Sequence, residues 1–173
     1  MRCVFTAHFY WFKVINKSIF GQGTNMKAYA IFYKGKRPWT EPRNKISDFV
    51  IRLFTHGKYS HCEIAVPTET PAFYECFTSS LRDRGVRSKP MILKEDHWDK
   101  IEIDVDIKKL REFLQETDDC KYDFLGCIGV LTSKIKHDKR RYFCSEWCAE
   151  FLNIENPEKI SPSKLYDILE HQK

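Results

Sequence analysis

The chain has 173 residues and a mass of 20.6 kDa, enough for one domain that buries a core without covalent staples and short for two. Hydrophobic residues make up 42% and aromatic residues 14%, against only 7 Gly and 7 Pro, which excludes a disordered, collagen-like or low-complexity chain. With 31% charged residues and no uncharged apolar run of roughly 18 residues, a multi-span membrane protein is excluded as well.

The net charge of +5 is unevenly placed. Arg2, Lys13, Lys17, Lys27, Lys34, Lys36 and Arg37 all precede Glu41, the first acidic residue, so the remainder carries 22 basic against 24 acidic residues. The body of the chain lacks the basic stripe of a nucleic-acid binder, and stable nucleic-acid binding is not expected. Seven cysteines stand at 3, 62, 76, 120, 127, 144 and 148, an odd number with no C-x-x-C. They read as reduced thiols of an intracellular, cytoplasmic protein. Their spacing with the histidines makes no recognised zinc pattern, so no metal is expected.

Residues 1–25 are aromatic, basic and free of acid, and end in GQGTN. No small-x-small cleavage site follows the apolar run, so they read as an N-terminal extension, with one folded domain over 26–173. MKAYAIFYKG (26–35) is rich in β-formers and reads as a first strand. Ile46, Phe49, Val50, Leu53 and Phe54 form one helical stripe. YSHCEIAV (59–66) and AFYECF (72–77) read as the two strands of a hairpin turning at PTETP. RDRGVR (82–87) reads as a basic turn bordering the site. IEIDVD (101–106) alternates as a strand, and Ile107, Leu110, Phe113 and Leu114 follow as a short helix. YDFLGCIGVL (122–131) is apolar and of ambiguous type, and KHDKRR (136–141) reads as a solvated basic loop. CSEWCAEFL (144–152) is a helix, and Ser161-Pro162 supplies the cap and first residue of a last one. Helix, antiparallel strands, then helices give an α+β class.

Three residues bear chemistry. Cys144 stands where a loop gives way to a helix, whose N-terminal partial charge favours a thiolate. His61 lies in a strand, sharing a face with Glu63, and an imidazole there can take a thiol proton and return it to a leaving group. Glu75 sits in the returning strand. If the turn centres near Glu69, residue 63 faces residue 75, and either carboxylate can orient the imidazole.

The order of these residues resembles the circularly permuted papain-like cysteine hydrolases, the YaeF/YiiX group of the NlpC-type amidase superfamily, to which lecithin retinol acyltransferase-like proteins are related. The matching segments are YSHCEIAV at 59–66, FYEC at 73–76, KYDFLG at 121–126, YFCSEWCAEFL at 142–152 and SPSKL at 161–165, together spanning roughly 26–170. The resemblance implies a permuted NlpC-type fold with Cys144 as nucleophile, His61 as general base and Glu75 as the third residue, Glu63 being its alternative. It implies an oxyanion held by the Cys144 N–H, with the Tyr122 hydroxyl as a second donor. It implies acyl transfer through a thioester, without metal or organic cofactor. The substrate would be a peptide, a peptidoglycan stem or an acyl group on lipid or thioester; a catalytically inactive binding module on the same fold is the non-enzymatic alternative. Cys62 and Cys148 flank the proposed pair and receive no role beyond packing.

Overall fold

The computed structural model describes residues 25–35, 57–123 and 140–172. The helix expected at 46–54, residues 1–24 of the expected extension, the apolar segment beyond Asp123 and the basic loop up to Lys139 lie outside the described residues. Wherever β-formers alternate in the described chain, strands result. β1 (Asn25–Tyr33), β2 (His61–Pro67), β3 (Phe73–Ser80), β4 (Gly85–Ile92), β5 (Trp98–Asp106), β6 (Lys121–Tyr122) and β7 (Arg141–Tyr142) form one sheet in the order β5-β1-β2-β3-β4-β6-β7. Every neighbouring pair is antiparallel except β6–β7. Three helices are described, α1 (Ile107–Thr117), α2 (Cys144–Phe151) and α3 (Pro162–Glu170), so the chain is mixed α+β with a curled, largely antiparallel sheet.

Each helix starts where a local signal puts it. The Asp106 carboxylate accepts the N–H of Lys108 and Lys109, at 3.0 and 3.3 Å, and caps α1. The Ser161 hydroxyl accepts from Lys164 at 3.2 Å, and Pro162 opens α3. β4 is the element that the sequence concealed: Pro90 lies inside it, and proline inside a run argues against a strand. Its pairing nonetheless extends from Phe73↔Ile92 to Ser80↔Gly85, so the basic turn expected over 82–87 is confined to residues 81–84. At Gly85 a Cβ would come within 2.3 Å of the Cys120 carbonyl oxygen, and only glycine admits the chain leading into β6.

Period-two alternation sorts the sheet into two faces. One carries Ala30, Phe32, Cys62, Ile64, Phe77 and Ile101 against Leu110, Trp147 and Leu165 of the helices. The other carries Ile31, Ala65, Cys76 and Leu93, with Tyr74, Met91 and Trp98 packed on them. Ile101, Ile103 and Val105 share the helix-covered face, as their alternation implies.

The β2–β3 hairpin departs from the expected register. Ile64 pairs with Phe77 and Pro67 with Tyr74, so the turn centres between Thr70 and Pro71, and the register is displaced by three residues from one that opposes 63 and 75. Thr68 closes the loop: its N–H donates to the Phe73 carbonyl at 3.2 Å, its hydroxyl to the same oxygen at 3.0 Å, and Ala72 takes a left-handed φ of 66°. An odd displacement exchanges the faces of every side chain on one strand relative to the other. Glu75 therefore falls on the helix-covered side and Glu63 on the opposite one, a correction to the expectation that they face each other.

Candidate active site

The site forms where β2 and β3 part. Their pairing covers Ile64–Pro67 against Tyr74–Phe77, leaving the main chain of Cys62 without a ladder partner on the β3 side. The Thr78 hydroxyl donates to the Cys62 carbonyl at 2.8 Å, and the Cys148 thiol approaches the same oxygen at 4.0 Å. The incoming segment is fixed from the other side, since the Ser79 hydroxyl donates to the Tyr142 carbonyl at 2.7 Å. These contacts seat the N-terminus of α2 against the gap.

Cys144 is the first residue of α2, after the extended N-cap Phe143. The helix is held down by Trp147, fully buried, whose indole N–H donates to the Thr117 hydroxyl at 2.9 Å and whose ring lies 5.1 Å from that of Phe113. Glu146 reaches back so that its Oε2 accepts the Phe143 N–H at 3.3 Å. Cys144 itself is 1% exposed. Its thiol is held well below the usual range, first by a hydrogen bond from the Cys62 thiol, against the opposing effect of burial, and then by the charge and hydrogen bond of His61 and the Cys62 main-chain N–H.

His61 opens β2, its side chain 16% exposed, so of the pair it is the imidazole that meets solvent. Its Nε2 lies 3.0 Å from Glu63 Oε1. Burial alone would lower its pKa, but the Cys144 sulfur by charge and hydrogen bond, and then Glu63, raise it to about 10. The two shifts agree in sense: the pair favours thiolate and imidazolium over thiol and imidazole.

Glu63, 2% exposed, is gripped from the far side. Arg87 donates from Nη1 to Oε2 and from Nη2 to Oε1, both at 2.9 Å, a two-point fork. Burial pushes the carboxyl up, yet the Arg87 charge and the His61 hydrogen bond bring it down to about 2. Glu75 has a different partner: Arg111 Nη2 of α1 donates to its Oε2 at 3.1 Å, and burial leaves its pKa raised.

Of the residues singled out from the sequence, Cys144, His61 and Glu63 come together, while Glu75 is carried away from His61 by the register. Tyr122 is buried on β6, in register with Tyr142 of β7, two residues ahead of Cys144. Two contributors were missed. Cys62 meets Cys144 through both thiol and main chain, and Arg87 was hidden in what reads as a turn. The signal for Arg87 was its alternation with Lys89 and Met91 on one face of β4, legible only once Pro90 is accepted inside a strand. Among the described residues, no three His, Cys, Asp or Glu side chains group so as to hold a metal ion, and no helix is long and apolar enough to cross a membrane.

No protein-family model, curated protein or solved structure matches this chain.

Proposed function

We propose that the chain is a cysteine hydrolase of permuted papain-like architecture, acting by acyl transfer on an amide, ester or thioester carbonyl. The observation that supports it is the continuous contact chain from the Cys144 sulfur through His61 to Glu63, at the N-terminus of a helix. A buried thiol beside a neutral histidine is common packing; one whose environment favours the thiolate, beside an imidazole oriented by a carboxylate, is the arrangement that nucleophilic catalysis requires. The order of these residues along the chain, with the histidine strand first and the cysteine helix last, is that of the permuted family.

With Nε2 taken by Glu63, Nδ1 is the ring nitrogen left to exchange a proton with sulfur. In the proposed reaction the Cys144 thiolate adds to the carbonyl carbon. The imidazolium gives its proton to the leaving nitrogen, oxygen or sulfur as that bond breaks, and a thioester remains on Cys144. His61 then takes a proton from water as the water oxygen bonds to the thioester carbonyl carbon, the carbon–sulfur bond breaks, the acyl group leaves as a carboxylic acid, and the Cys144 thiolate beside the His61 imidazolium is regenerated. The main-chain N–H of Cys144, at the unpaired end of α2, is the donor positioned for the oxyanion, and loss of such a donor costs about 10²–10³ in rate.

The test is labelling with iodoacetamide at about pH 6, where ordinary thiols are protonated. Selective modification of Cys144, abolished by His61→Ala, is the expected result. Uniform slow labelling of all seven cysteines would overturn the proposal and leave a binding module. Peptide amides against acyl thioesters, compared on the wild type and on a Cys144→Ser control that should be inactive, distinguish the two substrate classes.

A further inference from the structure

We propose that Arg87 is a positioning residue of the Cys144–His61 pair: it fixes Glu63 in one orientation and one charge state, and so sets how firmly His61 holds the proton taken from sulfur. The inference rests on the hydrolase reading above and extends the catalytic constellation by one member.

The geometry is explicit. Glu63 Oε1 is shared, lying 3.0 Å from His61 Nε2 and accepting from Arg87 Nη2 at 2.9 Å, while Oε2 accepts Nη1 at 2.9 Å. The carboxylate therefore cannot turn toward or away from the imidazole without breaking the fork. Arg87 is itself immobilised: Nη1 also donates to the Cys76 carbonyl at 2.9 Å, and Nε donates to Asp83 Oδ2 at 3.0 Å. Asp83 is held in turn by Lys89 at 3.1 Å. Cys144, His61, Glu63, Arg87, Asp83 and Lys89 thus alternate in sign from the buried thiolate to a lysine 34% exposed. The register explains the reach, because Arg87 opposes Thr78 on β3 and so projects from the same face as Glu63.

The titratable groups around this core are His61 from β2, Cys76 from β3, Lys89 from β4 and Asp83 from the β3–β4 turn, with Cys144 of α2 and Cys62 behind the imidazole. Cys76 is pushed up by burial and by Glu63, so it stays a neutral thiol and offers Glu63 no charge. Besides His61, Arg87 is the cation that opposes the burial of Glu63. Without it, His61 alone opposes burial and the balance moves toward the protonated carboxyl. A neutral Glu63 no longer supports the imidazolium, and the thiolate forms only at higher pH.

A purely structural ion pair would lower thermal stability when broken and leave the titration of sulfur where it was. The experiment is therefore the rate of Cys144 alkylation by iodoacetamide against pH, with the Cys144 adduct resolved by mass spectrometry, in wild type, Arg87→Gln and Arg87→Lys. Wild type is expected to reach half its plateau well below an ordinary thiol. Arg87→Gln should move that midpoint up by about one pH unit or more, and Arg87→Lys by less, because lysine keeps the charge and loses the fork. If the wild-type midpoint is low and both variants superimpose on it, Arg87 only stabilises the fold and the inference falls while the hydrolase reading stands. A wild-type midpoint at the ordinary thiol value overturns both. Should Arg87→Gln not fold, Arg87→Lys decides alone: a raised midpoint supports the inference and an unmoved one overturns it.

Discussion

Two glutamate–arginine pairs sit on opposite faces of the same sheet, and they behave in opposite ways. Glu63 and Arg87 meet in a two-point fork, with His61 on the shared oxygen, and the carboxyl falls to about 2. Arg111 Nη2 donates to Glu75 at 3.1 Å, and that carboxyl is raised. The nearest cation is an arginine in both cases and both side chains are largely shielded. What separates them is the strength of the opposition: the Arg87 fork and the His61 imidazole outweigh the desolvation of Glu63, whereas the Arg111 charge and a Ser88 hydrogen bond do not outweigh that of Glu75. A carboxylate suited to orienting a base is thus distinguished from a structural one by its partners and not by its residue type.

The sharpest way to break this contrast is to neutralise each carboxylate in turn. Glu63→Gln is expected to slow Cys144 alkylation near neutral pH, or any acyl transfer, by on the order of 10²-fold, because the imidazole loses both its orientation and its counter-charge. An effect below about threefold would remove Glu63 from the site. Circular dichroism on the same sample separates loss of function from loss of fold, which matters because leaving one member of a buried ion pair unpaired costs about 3–5 kcal/mol.

A third glutamate, this one buried, sharpens the comparison from the other side. Glu146 is 1% exposed, its Oε2 accepts the Phe143 main-chain N–H, and burial, with Asp123, Glu150 and Glu158 nearby, lifts its pKa to about 8. A carboxyl raised in the folded state stabilises below its unfolded value of 4.5, and that contribution is lost as pH rises through about 8. Glu146→Gln keeps the cap acceptor and removes the titration. It should therefore gain stability over wild type above about pH 8, on the order of a few kcal/mol, and show no gain below about pH 4.5. Parallel denaturation curves at both pH values would count against the burial of a titrating group there.

The paired chain itself has a pH window. Glu63, lowered to about 2, stabilises above 4.5 and loses that contribution as pH falls toward 2. His61, raised to about 10, stabilises below 6.5 and loses its contribution as pH rises through 10. Full support from both is expected between about pH 4.5 and 6.5, and chemical denaturation across that range should show the Glu63→Gln deficit largest there. The smallest effect is reserved for Glu75→Gln, which should change Cys144 reactivity by less than about twofold, since Glu75 touches neither sulfur nor imidazole and acts only through screened charge. A loss as large as that of Glu63→Gln would mean that the two faces are coupled after all.

Much of the architecture was open to a reading of residues alone. Period-two alternation in β1, β2 and β5, the stripe of Ile107, Leu110 and Leu114, and the Ser161-Pro162 helix start are local patterns, and local patterns survive into the fold because each element carries its own buried face. Cys144 at a helix start and His61 on a strand followed from the same local rules. β4 was obscured because Pro90 contradicts the strand rule at one position, and the rest of the pairing with β3 overrides it.

What remained for tertiary structure was register. PTETP announces a turn without saying between which two residues it pivots, and a displacement of three residues decides whether His61 and Glu63 share a face with Glu75 or, as in the fold, with Arg87. The same packing brings the Cys62 thiol and main chain to Cys144, a contact between residues 82 positions apart that no spacing encodes. Alternation and capping are set by neighbours in the chain, so the amino-acid sequence determined the elements and the chemistry they carry. Which carboxylate serves the imidazole depends on hydrogen bonds between strands, and only the folded sheet decides it.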